Sequence, residues 1–322
     1  MSKGISVNRL AWKLLEKLLD DPALFGVEVD ETSDGTKIID AGIEAHGGFQ
    51  AGKLVTEICM GGLAKAGIDI RSYGNLEIPT ICVRSDQPVI ATLGSQYAGW
   101  HIKEGGYFAI GSGPARALAK KPKEIFRQID YEDDADVAII MLETDHVPPA
   151  SLIERFVSDC HVRADRLALI LAATASVTGV TQVAGRIVET GIHKLVRLGV
   201  DPNTILYACG SAPIPPVHPQ FNRAMARTND AILYGGIAYY ALQFDDDAEL
   251  TRIAEKAPSS ASKTYGKPFL ETLKEANYDF YSIDPDLFAP AKLIFNNVKT
   301  GSLFIAGDIN VDVLAESMGV RD

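Results

Sequence analysis

Cysteine is scarce in this 322-residue chain. Cys59, Cys82, Cys160 and Cys209 lie far apart and no two stand in C-x-x-C spacing, so neither a thiolate zinc site nor a disulfide framework is expected. The six histidines are equally scattered, with no H-x-H or H-x-x-x-H arrangement, and no protein-held metal is expected. Long apolar runs are missing too. No stretch approaches the roughly 20 residues that cross a bilayer, and MSKGISVNRLAWKLLEKLL has the spacing of an amphipathic helix, unlike the apolar core and cleavage site of a signal sequence. The expectation is a cytoplasmic protein with no membrane partner. Positive charge is in deficit: 31 Lys and Arg stand against 42 Asp and Glu, a net charge of −11. That balance repels phosphate backbones and argues against a nucleic-acid partner, so an anionic ligand needs a local cationic pocket.

What is present is a chain with 47% hydrophobic residues, enough to bury one or two cores, with two lobes and a cleft as the natural arrangement. Leu10, Leu14, Leu15, Leu18 and Leu19 mark a helix over Val7 to Leu19 that stops before Asp21 and Pro22. Short strands at Val27 to Asp30 and Lys37 to Ile43 flank Ser33, Asp34 and Gly35, which predicts a hairpin. A helical region over Gly47 to Leu63 precedes strands at Ile68 to Tyr73 and Thr80 to Arg84. Ala135 to Glu143 and Arg166 to Ala173 read as strands buried on both faces, separated by a helix over Ser151 to Cys160. Strands and helices alternate without βαβ regularity, which predicts an α+β (mixed α/β) fold and not a clean doubly wound sheet. The Pro148–Pro149 pair suggests lobes of 1–148 and 149–322, with exchange of segments allowed. The four prolines of Ala212 to Pro219 suggest an ordered extended loop.

Two stretches have the composition of chemistry. Gly111, Ser112, Gly113, Pro114, Ala115 and Arg116 follow a strand-like Tyr107 to Ile110 and lead to Lys120, Lys121 and Lys123. A glycine turn with proline opening a helix offers backbone N–H groups to an anion. It lacks the Walker A and G-x-G-x-x-G signatures, and an ordinary tight turn with solvated lysines fits the same pattern. The second stretch is Thr174 to Gly179 followed by Q-V-A-G-R-I-V-E-T-G-I-H-K, in which a helix would place Arg186 and Glu189 on one face. A solvent-exposed ion pair is the bland reading. Hydroxyl and small residues on the approach, with Gly185 and Gly191 flanking the pair, suggest that something else comes close. Weaker signals are Ser95 and Gln96 near Trp100, where core packing competes with a ring wall for a heterocycle, and Thr228, Asn229 and Asp230, where helix capping competes with ligand contact. Asp133, Asp134 and Asp136 lack calcium-loop spacing, and no serine lies in a G-x-S-x-G elbow.

T-E-I-C-M-G-G-L-A at Thr56, G-S-Q-Y-A-G-W at Gly94, Y-F-A-I-G-S-G-P-A-R-A-L-A at Tyr107, Y-E-D-D-A-D-V-A at Tyr131, G-R-I-V-E-T at Gly185, T-N-D at Thr228, and Y-G-K-P-F with N-Y-D-F-Y near the end together resemble the methenyltetrahydromethanopterin cyclohydrolases. The resemblance runs in order over nearly the whole chain. It implies reversible hydrolysis of the 5,10-methenyl bridge of a tetrahydropterin one-carbon carrier used in methanogenesis, giving the N5-formyl derivative. It implies two lobes enclosing a substrate pocket, Glu189 and Arg186 as the catalytic pair, and no metal or other cofactor, the carrier being the substrate. Association into a homo-oligomer, with three subunits the expectation, is implied as well. Substrate contacts would come from Ser95, Gln96, Tyr97, Gly111, Ser112, Gly113, Arg116, Thr174, Ser176, Asn229 and Asp230. Tyr97 departs from the pattern, which has lysine there. A nucleotide-handling enzyme, a non-catalytic pterin-binding protein and a folate-type carrier remain the alternatives.

Overall fold

A computed structural model describes residues 4–320. By their internal packing these residues form two compact units. One holds the chain up to Lys65 together with Val89–Gln182, and the other holds Ala66–Pro88 together with the chain from Val183 onward. Pro148 and Pro149 lie inside the first unit, where Pro149 is the residue before the helix Ala150–Cys160. The fold is α+β, with a mixed six-stranded sheet in each unit.

In the first unit β1 (Glu28–Glu31) and β2 (Lys37–Asp40) form the expected antiparallel hairpin. Between chain positions 64 and 85 come β3 (Ala64–Tyr73) and β4 (Leu76–Ser85) of the other sheet. The first sheet resumes with β5 (Trp100–Glu104), β6 (Tyr107–Ser112), β7 (Ala138–Glu143) and β8 (Leu167–Ala172), in the order β1-β2-β8-β7-β6-β5. β8 runs parallel to both β2 and β7, while β6 is antiparallel to β7 and β5. β8 is buried at every position, which explains an apolar run without alternation: a central parallel strand is covered on both faces. One face packs on the helix Val7–Asp20, whose Leu14, Leu15 and Leu18 join Ile139, Met141, Ile170 and the helix Phe49–Cys59 in one core. Ser6 caps the first of these helices by accepting from the Arg9 N–H. The other face packs Ile140, Leu142, Leu169 and Leu171 on Leu152, Ile153 and Phe156.

The second unit adds β9 (Ile205–Pro213), β10 (Ile237–Leu242), β11 (Lys292–Asn297) and β12 (Ser302–Gly307), giving the order β12-β11-β10-β9-β4-β3. β10 is parallel to β11 and antiparallel to β9. Strand β9 extends into the proline-rich segment: Pro213 still pairs with Thr80, and the Ile214 N–H donates to the Pro79 carbonyl. A second core gathers Tyr234, Phe269, Leu273, Leu287, Val313 and Leu314. Among the described residues, no helix is long and apolar enough to cross a membrane.

Candidate active site

Ser176 receives the N–H of Gly179 at 2.9 Å and so starts the helix Val177–Ala184. A turn at Gly185 and Arg186 leads directly into the helix Ile187–Arg197, with Arg186 at its N-cap and Glu189 in its first turn. A carboxylate there faces the positive end of the helix dipole. The Arg186 Nη1 and Glu189 Oε2 atoms are 3.9 Å apart, and each side chain is only 9% exposed. This is not the solvated surface pair of the bland reading. Two opposite charges have been withdrawn from water, where neither is tolerable alone. The separation is too long for a hydrogen bond, and the Glu189 carboxylate accepts none among the described residues. Its lone pairs are therefore available to a water molecule or a substrate.

In the first unit the structure brings together Ser95, Tyr97, Gly113 and Arg116. Thr92–Gln96 is a single π-helical turn, a rare conformation that recurs at functional sites. The Ser95 carbonyl accepts from the Gly113 N–H at 3.0 Å and from Arg116 Nη1 at 2.9 Å, while the Ser95 hydroxyl donates to the Cys59 carbonyl. Arg116 is fully buried. Its guanidinium also donates to the carbonyls of Leu93 and Lys121 and lies over the rings of Tyr97 and Phe126. The turn Gly111–Arg116 is thus tied inward: its arginine serves carbonyls, and Lys120 and Lys121 face Glu132 and Asp159. Gln96 and Ser112 are buried in the same region, and Trp100 packs edge-on against Phe156 as a core residue.

Thr174, just past β8, donates its hydroxyl to Glu143. Gln182 is 1% exposed, and neither end of its side-chain amide has a hydrogen-bond partner among the described residues. Such an orphaned group asks for a bound molecule or an ordered water, and sequence reading passed over it. Among the described residues, no group of three or more His, Cys, Asp or Glu side chains could hold a metal ion.

A family model described as Cyclohydrolase (MCH) matches residues 6–318. The chain belongs to the MCH cyclohydrolase family. Proteins named methenyltetrahydromethanopterin cyclohydrolase are similar over almost their whole length. That of Methanoregula boonei is 46% identical over 318 residues, covering 98% of this chain and 100% of the relative. That of Methanocaldococcus jannaschii is 42% identical over 318 residues, 98% of each chain. That of Methanothermobacter marburgensis is 41% identical over 321 residues, 98% of this chain and 100% of the relative.

Within this MCH chain, Tyr97 has a local explanation. Its ring centroid lies 5.2 Å from the Arg116 guanidinium carbon, so an aromatic face meets a buried cation where a lysine would place a second positive charge. Asn229 and Asp230 belong to the middle of the helix Phe221–Gly235, so they do not start a helix of their own. The Asn229 amide donates back to the Met225 carbonyl. Asp230 caps a different helix: it accepts from the N–H of Phe269, first residue of the helix Phe269–Glu275, at 2.8 Å, and from the Ser317 hydroxyl at 2.5 Å.

Burial pushes the Asp230 carboxyl up to about 7, against the pull of its bonds from Ser317 and Phe269. Because the folded protein holds this proton more tightly than an unfolded chain, whose aspartate titrates near 4, stability is full below about pH 4 and declines towards pH 7. Thermal melts of Asp230→Asn, which conserves shape and remains neutral, are expected to lose this descending component between pH 5 and 7, worth at most about 4 kcal/mol. An unchanged slope would place the titration elsewhere.

Proposed function

We propose that this chain is a methenyltetrahydromethanopterin cyclohydrolase, converting the 5,10-methenyl carrier to the N5-formyl carrier and back, with Glu189 as the general base. The observation that carries the reading is a nearly buried carboxylate, charge-balanced by Arg186 at 3.9 Å and accepting no hydrogen bond among the described residues. Membership of the MCH family and the names of its relatives support the choice of substrate.

The methenyl carbon is shared by N5 and N10 as a cationic amidinium, already electrophilic. What the reaction asks of the protein is an oriented water. Glu189 accepts a proton from that water as its oxygen bonds to the methenyl carbon. Arg186 balances the carboxylate's charge and restrains its position, so that the buried anion is not left alone. The tetrahedral adduct then loses its hydroxyl proton, N10 takes up a proton, and the bond from carbon to N10 breaks. The products are the N5-formyl carrier and one net proton, with no covalent enzyme intermediate. No separate cofactor is required, because the carrier brings the reacting carbon. Contact of the carrier with Ser95, Gln96, Tyr97, Gly111, Ser112, Gly113, Thr174 and Ser176 is part of the same proposal, as is a cytoplasmic setting.

The test is the loss of near-ultraviolet absorbance of the methenyl carrier on adding purified protein. Hydrolysis far above the buffer rate is expected, with the tetrahydrofolate analogue as the comparison substrate. Binding without turnover would favour a non-catalytic pterin-binding protein.

Self-association is the remaining part of the proposal. On one face of the second sheet the register aligns Ile294 with Ile305, and Tyr239 with Cys209. Leu303 and Ile305 are each 60% exposed and Tyr207 is 53% exposed. An apolar face of this kind on a chain of net charge −11 is suited to a second copy, where burial of apolar area outweighs charge repulsion. Sedimentation of the double variant Leu303→Glu, Ile305→Glu is expected to show a smaller species than the wild type; identical sedimentation would clear this face.

A further inference from the structure

The flanking glycine of the Arg186–Glu189 segment has a specific neighbour. A Cβ at Gly191 would fall inside the Tyr240 hydroxyl and within 2.9 Å of its ring carbon Cζ, with Pro290 at 3.2 Å. Through this clearance the phenol reaches the helix backbone. The Tyr240 hydroxyl donates to the Val188 carbonyl at 2.9 Å, the carbonyl of the peptide that joins Val188 to Glu189. Tyr240 is completely buried on β10, and its ring stacks on Phe295 of the neighbouring β11. Burial, with the nearby Glu189 charge as the next contributor, holds the phenol proton well above its ordinary range, so the hydroxyl remains a donor at any pH at which the protein works.

The same helical turn is keyed at a second point. Ile187 is fully buried and lies where side chains on Gly210 and Gly236 would otherwise stand: a Cβ on Gly210 would be 3.1 Å from its Cγ atoms, and one on Gly236 would be 2.5 Å from its Cδ1. Glycines at the sheet thus receive Ile187, and a glycine in the helix receives Tyr240. The two contacts fix both the height and the rotation of the turn that bears Glu189. Proximity effects in catalysis demand such control, because displacement of a reacting group by about 1 Å can cost on the order of a hundredfold in rate.

We propose that Tyr240 is a positioning residue for Glu189: through its hydrogen bond to the Val188 carbonyl, in the clearance left by Gly191, it sets the carboxylate where the attacking water must be deprotonated. The inference rests on the reading of Glu189 as the base.

The experiment measures kcat, KM and melting temperature with the methenyl carrier for Tyr240→Phe, Gly191→Ala, the Gly191→Ala, Tyr240→Phe double variant, Glu189→Gln, and Glu189→Gln combined with Tyr240→Phe, with rates normalised to folded protein. Phenylalanine keeps the ring and its stacking and removes only the hydroxyl. Tyr240→Phe is expected to lower kcat about tenfold with KM within about twofold, since what is lost is orientation and not binding. Gly191→Ala should be slower still, and adding Tyr240→Phe to it should restore part of the loss, because the hydroxyl is the nearest obstruction to the new methyl group. In the Glu189→Gln background, Tyr240→Phe should change kcat little. A Tyr240→Phe enzyme with wild-type kcat, or an equal tenfold loss with Glu189 already replaced, would overturn the positioning role while leaving the base reading intact. Full activity of Glu189→Gln itself would instead remove the base reading on which the inference stands.

Discussion

Replacing Glu189 with glutamine is expected to lower kcat by about 10²- to 10⁴-fold, the usual contribution of a general base. Glutamine occupies the same volume and can still hold a water, but it cannot accept the proton that the water must lose. The effect on KM should be smaller. Some affinity will be lost because the carboxylate also attracts the cationic amidinium, yet most of the carrier lies away from the reacting carbon. Glu189→Asp keeps the charge and withdraws it by one methylene, so its rate should fall between the other two. Arg186 gives a second check on the same geometry. It stands 3.9 Å from the carboxylate with both side chains nearly buried, so Glu189→Gln leaves a buried guanidinium with less compensation, and a modest drop in melting temperature should accompany the loss of rate. Absorbance assays and thermal melts on the same preparations distinguish a lost base from a lost fold. A variant with kcat within about threefold of wild type would require a different proton acceptor.

Much of the first unit was legible in the sequence because its signals are local. The leucine spacing of the first helix, the Ser33–Gly35 turn and the unbroken apolar runs of β7 and β8 each follow from the burial of one element. The interleaving of the units was not legible. β4 pairs with β9 across more than a hundred residues, and no local pattern in Leu76–Ser85 reveals that partner. The prolines of the Ala212–Pro219 segment suggest a loop, yet its beginning is the end of β9. A strand tolerates proline where the missing N–H is not needed. The π-turn at Thr92–Gln96 was equally hidden, since a single register shift in hydrogen bonding leaves no periodic trace. Spacing and resemblance single out Arg186 and Glu189, whose side chains stand 3.9 Å apart and nearly buried, and Gly191 announces a close neighbour. Its identity as Tyr240, about fifty residues later, could come only from the fold. Asp230 looked like a cap and is one, but for a helix that begins at Phe269.

Arg116 carries the second large effect. Beside glycines and lysines it has the look of an anion contact, yet its guanidinium donates to three main-chain carbonyls, those of Leu93, Ser95 and Lys121, and lies over the rings of Tyr97 and Phe126. Two of those carbonyls belong to the chain around the π-turn, which leaves them pointing inward. Arg116→Ala would take a donor from three carbonyls, of which that of Ser95 keeps the Gly113 N–H and those of Leu93 and Lys121 lose their guanidinium partner, and it would open a cavity. At about 1–3 kcal/mol for each unsatisfied group, with the cavity added and some relaxation allowed, the loss should be about 4 kcal/mol or more in urea unfolding. Lysine should rescue little of it, because one ammonium cannot reproduce a planar fork aimed at several carbonyls. The variant also separates two roles. If Arg116 is a framework residue, the folded fraction will bind the carrier within a few-fold of wild type while the unfolding midpoint drops sharply. A normal midpoint with weakened carrier binding would return Arg116 to the substrate.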